Sequence, residues 1–293
     1  MTTIEHSVQT PQGRLWVTEQ PGEETPVLLM HGFPDDHGIY NRLIPQLAPR
    51  RVIAFDFLGH GRSDRTDQPC FAYKDHAAQI SAVLDALEVQ QVVLVGHDGS
   101  TPEAVMYAVG HPQSVSHLVV LNGPFGQRDA FRMPEMTRLF AEPDLRRLAD
   151  DLMSDTEKRG WMLQRWGAQA ALDHADRSSL VFESILPQFF GGESQPDALV
   201  AIRGWTAELL RSLDRQEQIV SELPAFRGAV SVIFGAEDPD LTPALAQEIA
   251  SLFSDASLAL IEGAGHYPQH DEAERVAELI KRPVQPTNES KER

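Results

Sequence analysis

The chain has 293 residues, 42% hydrophobic and 23% charged, enough to bury one large core. Its 43 acidic and 25 basic side chains give a net charge of −18 at pH 7, which argues against nucleic acid and anionic membrane surfaces as partners. A single cysteine, Cys70, rules out an internal disulfide framework and suits a reducing compartment.

The start, MTTIEHSVQT, lacks the basic and apolar regions of a signal peptide, and no stretch reaches transmembrane length, so a cytoplasmic protein is expected. Two short strands near Ile4–Val8 and Arg14–Thr18 flank the turn Pro11-Gln12-Gly13 and read as a hairpin. Val27-Leu28-Leu29-Met30 is an apolar run of the kind buried on both faces of a parallel sheet, and it ends in His31-Gly32-Phe33-Pro34. Tyr40, Leu43, Ile44 and Leu47 recur at spacings of three and four, which predicts an amphipathic helix. Arg51–Phe55 is the next strand, followed by the loop DFLGHGRSD from Asp56 to Asp64. Helical periodicity returns at Ile80, Val83, Leu84 and Leu87.

The stretch from 92 to 109 then organises the rest. Val92-Val93-Leu94-Val95 runs into Gly96-His97-Asp98-Gly99-Ser100, and Ala104, Val105, Ala108 and Val109 share one helical face beyond it. Strand, sharp turn and helix in that order is the setting of a nucleophile elbow. Its central residue adopts a strained backbone, so small residues belong two before and two after; here these are Gly96 and Ser100 around Asp98. Pro102 fits the first helical turn, where its missing N–H has no partner to lose. Taken alone, the window fits equally well an ordinary strand-to-helix turn with Asp98 as a cap.

A further strand, Val115–Leu121, ends at Asn122-Gly123-Pro124. Strands and helices thus alternate from 27 to 122, the pattern of a doubly wound parallel sheet. From 125 to 226 no strand is evident; the segment has helical patches and carries Trp161, Trp166 and Trp205. The alternation resumes at Ala229–Phe234, continues through a helix near Ala244–Phe253 and the strand Ser257–Ile261, and closes with a helix face at Ala273, Val276, Ala277 and Ile280. The expected division is an α/β core of residues 1–124 and 227–282, an inserted helical cap over 125–226, and a disordered tail over 283–293.

The pieces HGFP (31–34), DFLGHGRSD (56–64), GHDGS (96–100), FGAED (234–238) and GAGHYP (263–268), each at the end of a predicted strand, resemble the α/β-hydrolase fold with a cap. An aspartate at the elbow resembles the branch that holds haloalkane dehalogenases, haloacetate dehalogenases and epoxide hydrolases. That resemblance implies Asp98 as nucleophile, His266 as base, an acid after the strand Ala229–Phe234, and an oxyanion hole from the backbone N–H groups of Phe33 and Gly99. Asp238 has the usual spacing for the acid, Asp240 is its less favoured neighbour, and Glu237 is expected to face solvent. The other position known for the acid, after Val115–Leu121, holds Asn122, which cannot balance an imidazolium charge.

The residue types point the same way. A carboxylate with a reference pKa of ~3.9 is ionised at neutral pH and, well aligned, displaces a leaving group from tetrahedral carbon. Attack on an acyl group would give an anhydride, which lies uphill. Asp98 therefore points to organohalides, epoxides or similar electrophiles, through an alkyl ester that His266-activated water hydrolyses. His31, His60 and His97 read as structural, and no histidine set has metal-ligand spacing, so neither metal nor cofactor is expected.

The departures concern the leaving group. Haloalkane dehalogenases carry a tryptophan and haloacetate dehalogenases an arginine after the nucleophile, where this chain has Gly99. Epoxide hydrolases use cap tyrosines, and the four tyrosines here all fall outside 125–226. Trp161, Trp166 and Trp205 are the remaining donor candidates, against a plain packing role for each. Gly99 also suggests a pocket roomier than that of a typical haloalkane enzyme. Three readings follow: an Asp-nucleophile hydrolase acting on a halide or epoxide, a lyase or isomerase using the pocket's base, and a non-catalytic binder of small ligands. The partner expected in each case is a small molecule, with room left for a homodimer.

Overall fold

Strands form where the sequence carries its apolar runs, and their register decides what each helix covers. The computed structural model describes residues 3–66, 70–169, 180–192 and 196–282, with main chain alone at 166–169 and 182. Eight strands make one sheet: β1 (Ile4–Thr10), β2 (Gly13–Gln20), β3 (Glu24–Met30), β4 (Arg50–Phe55), β5 (Val92–His97), β6 (Val115–Leu121), β7 (Ala229–Gly235) and β8 (Ala256–Ile261). Their order is β1-β2-β4-β3-β5-β6-β7-β8. The first three in that order pair antiparallel, and every pair from β4 to β8 is parallel.

Helices α1 (Tyr73–Ala86) and α2 (Thr101–Gly110) follow β4 and β5. Between β6 and β7 lie α3 (Glu135–Ala141), α4 (Arg146–Ser154), α5 (Thr156–Gln169), α6 (Leu186–Phe190) and α7 (Leu199–Ile219). The described part of residues 125–226 holds helices and turns but no strand, and 283–293 lies outside the described residues. Helices α8 (Pro243–Ala250), α9 (Pro268–Asp271) and α10 (Ala273–Lys281) complete the chain.

The continuous apolar strands are buried on both sides. Leu28, Met30, Leu94, Leu118, Val120, Val232 and Phe234 pack on one face with Ile80 and Val83 of α1, Val105 of α2 and Leu245 of α8. Their neighbours Val27, Leu29, Val93, Val95, Val119, Leu121 and Ile233 pack on the other with Tyr40, Leu43, Leu47 and Val276 and Ile280 of α10. A one-residue slip in any central strand would exchange these two sets. Helix α7 joins both cores, since Ala201 and Trp205 belong to the first and Ile202 to the second.

One sequence expectation fails here. In place of a helix through Tyr40–Leu47 there are two 3₁₀ turns, His37–Tyr40 and Ile44–Leu47. Pro45 has no N–H to continue a helix from the first turn, but it is tolerated at the start of the second. Tyr40, Leu43 and Leu47 are still fully buried, so the apolar spacing holds while the hydrogen bonding differs.

The topology sets the position of the site. Strand β3 lies between β4 and β5, so the chain leaves it to one side and later returns on the other. The loops after β3 and β5 therefore diverge and open a crevice at the carboxyl ends of the strands, where ligands bind in open α/β sheets.

Candidate active site

Asp98 is the first residue past β5 and has φ +46°, a left-handed conformation that side chains beyond glycine rarely adopt. Packing around the turn holds it there. A Cβ on Gly96 would stand 2.8 Å from Ala104 Cβ and from Ser100 O, and one on Gly32 would stand 2.7 Å from Asp98 Cβ. Only glycine fits at these two places, so the loop after β3 presses directly on the turn. Ser100 Oγ accepts from the His97 N–H at 3.0 Å and reaches the Met30 carbonyl at 2.9 Å, tying the turn to β3. The Asp98 N–H donates to the Asn122 carbonyl at 3.2 Å, tying it to β6 as well.

Backbone N–H groups hold the Asp98 carboxylate. Oδ2 accepts the Phe33 N–H at 2.9 Å, and the Gly99 N–H also bonds the carboxylate. Oδ1 lies 3.9 Å from His266 Nε2. This separation exceeds a hydrogen bond, as is common in a site without substrate. Burial raises the Asp98 pKa, with His266 and the two N–H groups opposing.

His266 sits in the loop between β8 and α9 with Nδ1 2.8 Å from Asp238 Oδ2. Asp238 follows β7 and is nearly saturated. Oδ1 accepts the N–H groups of Asp240 at 2.9 Å and Leu241 at 3.0 Å, while Oδ2 also accepts Asn122 Nδ2 at 2.9 Å. Asn122 in turn accepts the Gly235 N–H at 2.8 Å through its Oδ1, which fixes its amide orientation. The carboxylate is therefore ionised: burial pushes its pKa up, but His266 and these donors bring it below the ordinary value. Burial lowers the His266 pKa, yet Asp238 above all, then Asp98 and Asp35, carry it up to about 9.

The other buried histidines do not join this chain of groups. His97 Nε2 lies 2.9 Å from the His266 carbonyl, which can only accept, so the proton is on Nε2. Burial pushes the His97 pKa down to about 3, with the His266 charge adding to the effect. His31 accepts the Phe57 N–H through Nε2 at 3.1 Å, so its Nδ1 donates to the Gly32 carbonyl at 2.8 Å. His60 is fully buried, with a pKa well below the ordinary value because of that burial.

Asp98, Asp238 and His266 meet at a cavity of about 70 Å³, walled largely by apolar groups such as Phe33, Pro124, Phe131, Met136, Trp205 and Leu209. That is roughly half the size of a ~150 Å³ cavity that takes benzene. Gly99 does not by itself open this space. The space a Cβ on Gly99 would enter is closed by Phe33 Cβ at 3.2 Å and Trp205 Cζ2 at 3.6 Å. An indole does stand beside Gly99, delivered from α7 and not from the next residue.

The three tryptophans part company here. Trp205 lines the cavity and is buried among Phe57, His60 and His76, with ring centroids at 5.4, 5.4 and 4.7 Å. Trp161 is 63% exposed and does not line the cavity. The Trp166 side chain lies outside the described residues. Sequence reasoning missed the clamp made by Asn122 and the buried carboxyl of Asp35. The signals were present, in a polar residue ending β6 and an acid beside the HGFP loop.

The comparisons with known proteins agree with this fold. The family described as alpha/beta hydrolase fold matches residues 25–273. Haloalkane dehalogenase 2 of Mycobacterium tuberculosis is 25% identical over 278 residues, covering 92% of this chain and 91% of its own. Epoxide hydrolase B of the same organism is 34% identical over 118 residues, 39% of this chain and 33% of its own. Among solved structures, a thermophilic esterase from Thermogutta terrifontis superposes with a TM-score of 0.72 at 20% identity, covering 96% of this chain and 97% of that one. An esterase so alike in shape shows that the fold is shared across chemistries. With its elbow turn, its sheet order and a family match over most of its length, the chain belongs to the α/β-hydrolase fold family.

Proposed function

We propose that this hydrolase opens a small, largely apolar organohalide by attack of Asp98 on tetrahedral carbon, under a helical cap formed by the described part of residues 125–226. The observation that carries the reading is the asymmetry of the Asp98 carboxylate. Oδ2 is already seated on the Phe33 N–H, while Oδ1 faces the side of His266. Attack by Oδ1 forms the carbon–oxygen bond as the carbon–halogen bond breaks, and the halide leaves with the electron pair. The ester carbonyl is then Oδ2, still in place on the Phe33 N–H, with the Gly99 N–H close by as the next donor. His266 takes a proton from water, the hydroxide adds to the Asp98 carbonyl carbon, and Oδ2 carries the oxyanion charge. Donors of this kind contribute about 10²–10³ in rate. Collapse expels the alcohol, which takes its proton from His266, and the regenerated acid passes its proton to His266, restoring the resting pair.

The pKa of His266 gives this sequence an order. With Asp98 ionised, His266 holds its proton up to about pH 9. Esterification removes the Asp98 charge, so the imidazole pKa falls and the proton is held less tightly when the ester needs a base. The resting state keeps the cation that pairs with the nucleophile.

Trp205 supports a halide over an epoxide, since its ring borders the cavity next to Asp98 and no tyrosine lines that cavity. Trp205→Phe should reduce halide release at least tenfold. Loss of one hydrogen bond to a charged group, about 1.5–3 kcal/mol, corresponds to that factor. Epoxide opening unaffected by this change, with no halide released by either protein, would reverse the choice of substrate.

The nucleophile is tested by trapping. His266→Gln, incubated with a panel of primary halides and epoxides, should gain the mass of one alkyl group and keep it for many turnover times. Asp98→Ala should gain nothing. Labelling of the alanine variant at the same rate would sink the assignment.

A further inference from the structure

Asp240 stands two residues past Asp238, and its N–H bonds Asp238 Oδ1 at 2.9 Å, so the acid partner of His266 also fixes its position. Its side chain lines the same cavity as Asp98 and His266. The other two carboxylates there are occupied, Asp98 by backbone N–H groups and Asp238 by four donors. The Asp240 carboxylate makes no hydrogen bond or ion pair with a described residue.

The surroundings do not neutralise it. Among the described residues neither Lys nor Arg lines the cavity, and the main charges bearing on Asp240 are those of Asp238, Asp98 and Glu135, opposed by His266. Burial is the largest influence on its pKa and raises it, with the three carboxylates adding to the rise. A carboxylate on an apolar wall still draws hydration from the open cavity. An apolar substrate that displaced this water would leave it bare, which is costly. A substrate carrying an N–H or O–H donor would replace the water instead.

We infer that Asp240 is a specificity-determining residue that binds an ammonium or hydroxyl group carried by the substrate. This rests on the hydrolase reading for what happens next, but not for the binding itself. The preferred class is then a small electrophile with one donor group, and electrophiles bearing a carboxylate are rejected by the acidic lining. Haloacids, which need a cationic anchor, fall on the rejected side.

Binding separates this from the chemistry. Isothermal titration of wild type with n-butylammonium, n-butanol and butyrate should rank them in that order, with at least tenfold between the first and last. A leading butanol would assign the hydroxyl as the natural donor group and still support Asp240. In Asp240→Asn and in Asp240→Ser, the ratio of ammonium to butyrate affinity should fall to threefold or less. Glu262→Gln removes one exposed charge elsewhere and should leave the ratio at its wild-type value. Equal binding of ammonium and carboxylate by wild type, or a preference that survives both Asp240 variants, overturns the inference. Alkylation of Asp98 by 3-bromopropylammonium and 1-bromobutane is followed in parallel by intact mass. A preserved binding preference with no labelling by either would remove the hydrolase reading and leave Asp240 standing. Labelling by both with no discrimination would do the reverse.

Discussion

Asp238→Asn is expected to lower steady-state turnover by about four orders of magnitude, by the logic of triad acids. Its local hydrogen bonds say how. Oδ1 of residue 238 must go on accepting the N–H groups of Asp240 and Leu241, so an asparagine keeps its oxygen there. Its amide nitrogen then takes the place of Oδ2, pointing donors at Asn122 Nδ2 and at His266 Nδ1. The histidine can respond only by moving its proton to Nε2, which turns an N–H toward Asp98 and leaves no base facing the ester. Alkylation of Asp98 should survive and hydrolysis should stop, so single-turnover mass analysis should find the ester accumulated. Asp240→Asn should leave kcat within about tenfold, because that side chain touches neither His266 nor the ester. A crippled Asp240→Asn beside a mild Asp238→Asn would mean that the wrong carboxylate has been given this role.

Much of this arrangement was legible in the sequence because it depends on local chemistry. The strands around Asp98 could be read from apolar runs that end in Gly- and Asp-bearing turns. The small residues Gly96 and Ser100 announced the strained backbone between them, and φ +46° at Asp98 matches it. Asp238 could be chosen over Asp240 by spacing from Gly235, and its 2.8 Å contact with His266 agrees. What could not be read depends on tertiary placement. Three tryptophans between β6 and β7 looked equivalent, yet which of them faces Asp98 is decided by how α7 is rotated against α2 and β3. Gly99 looked like an opening because its neighbour across the cavity, Trp205, is 106 residues away in the chain. The Tyr40–Leu47 periodicity was real, but Pro45 turned one helix into two short turns without moving its apolar face.

Asp35 offers the second large effect, this time on stability. It follows the HGFP loop and is fully buried beneath the site. Its Oδ1 accepts the Tyr267 hydroxyl at 3.1 Å, while Oδ2 has no hydrogen-bond partner among the described residues. The nearest ring nitrogen, His97 Nδ1, is 3.9 Å from Oδ2 and is the unprotonated one. Burial first, and then the charge of Asp98, push the Asp35 pKa from 3.8 up to about 8. Below pH 4 the group is protonated in both folded and unfolded chains and costs nothing. Between pH 4 and 8 the unfolded chain ionises while the folded one keeps its proton, so each unit of pH favours unfolding by about 1.4 kcal/mol. Above pH 8 the penalty is constant, on the order of 5 kcal/mol. Asp35→Asn removes the ionisable group, keeps an acceptor for Tyr267 and turns an N–H₂ toward the open nitrogen of His97. The variant should match wild type in urea unfolding near pH 4 and exceed it by several kcal/mol at pH 9. His266 titrates in both proteins, and because the Asp35 charge helps to raise its pKa, the difference reports Asp35 together with its coupling to His266. A stability difference that stays flat from pH 4 to pH 9 would mean that Asp35 is ionised in the folded protein, sharing the site's negative charge with Asp98. A gain confined to high pH would mean that the fold holds a neutral acid behind Asp98, with the negative charge concentrated at the cavity.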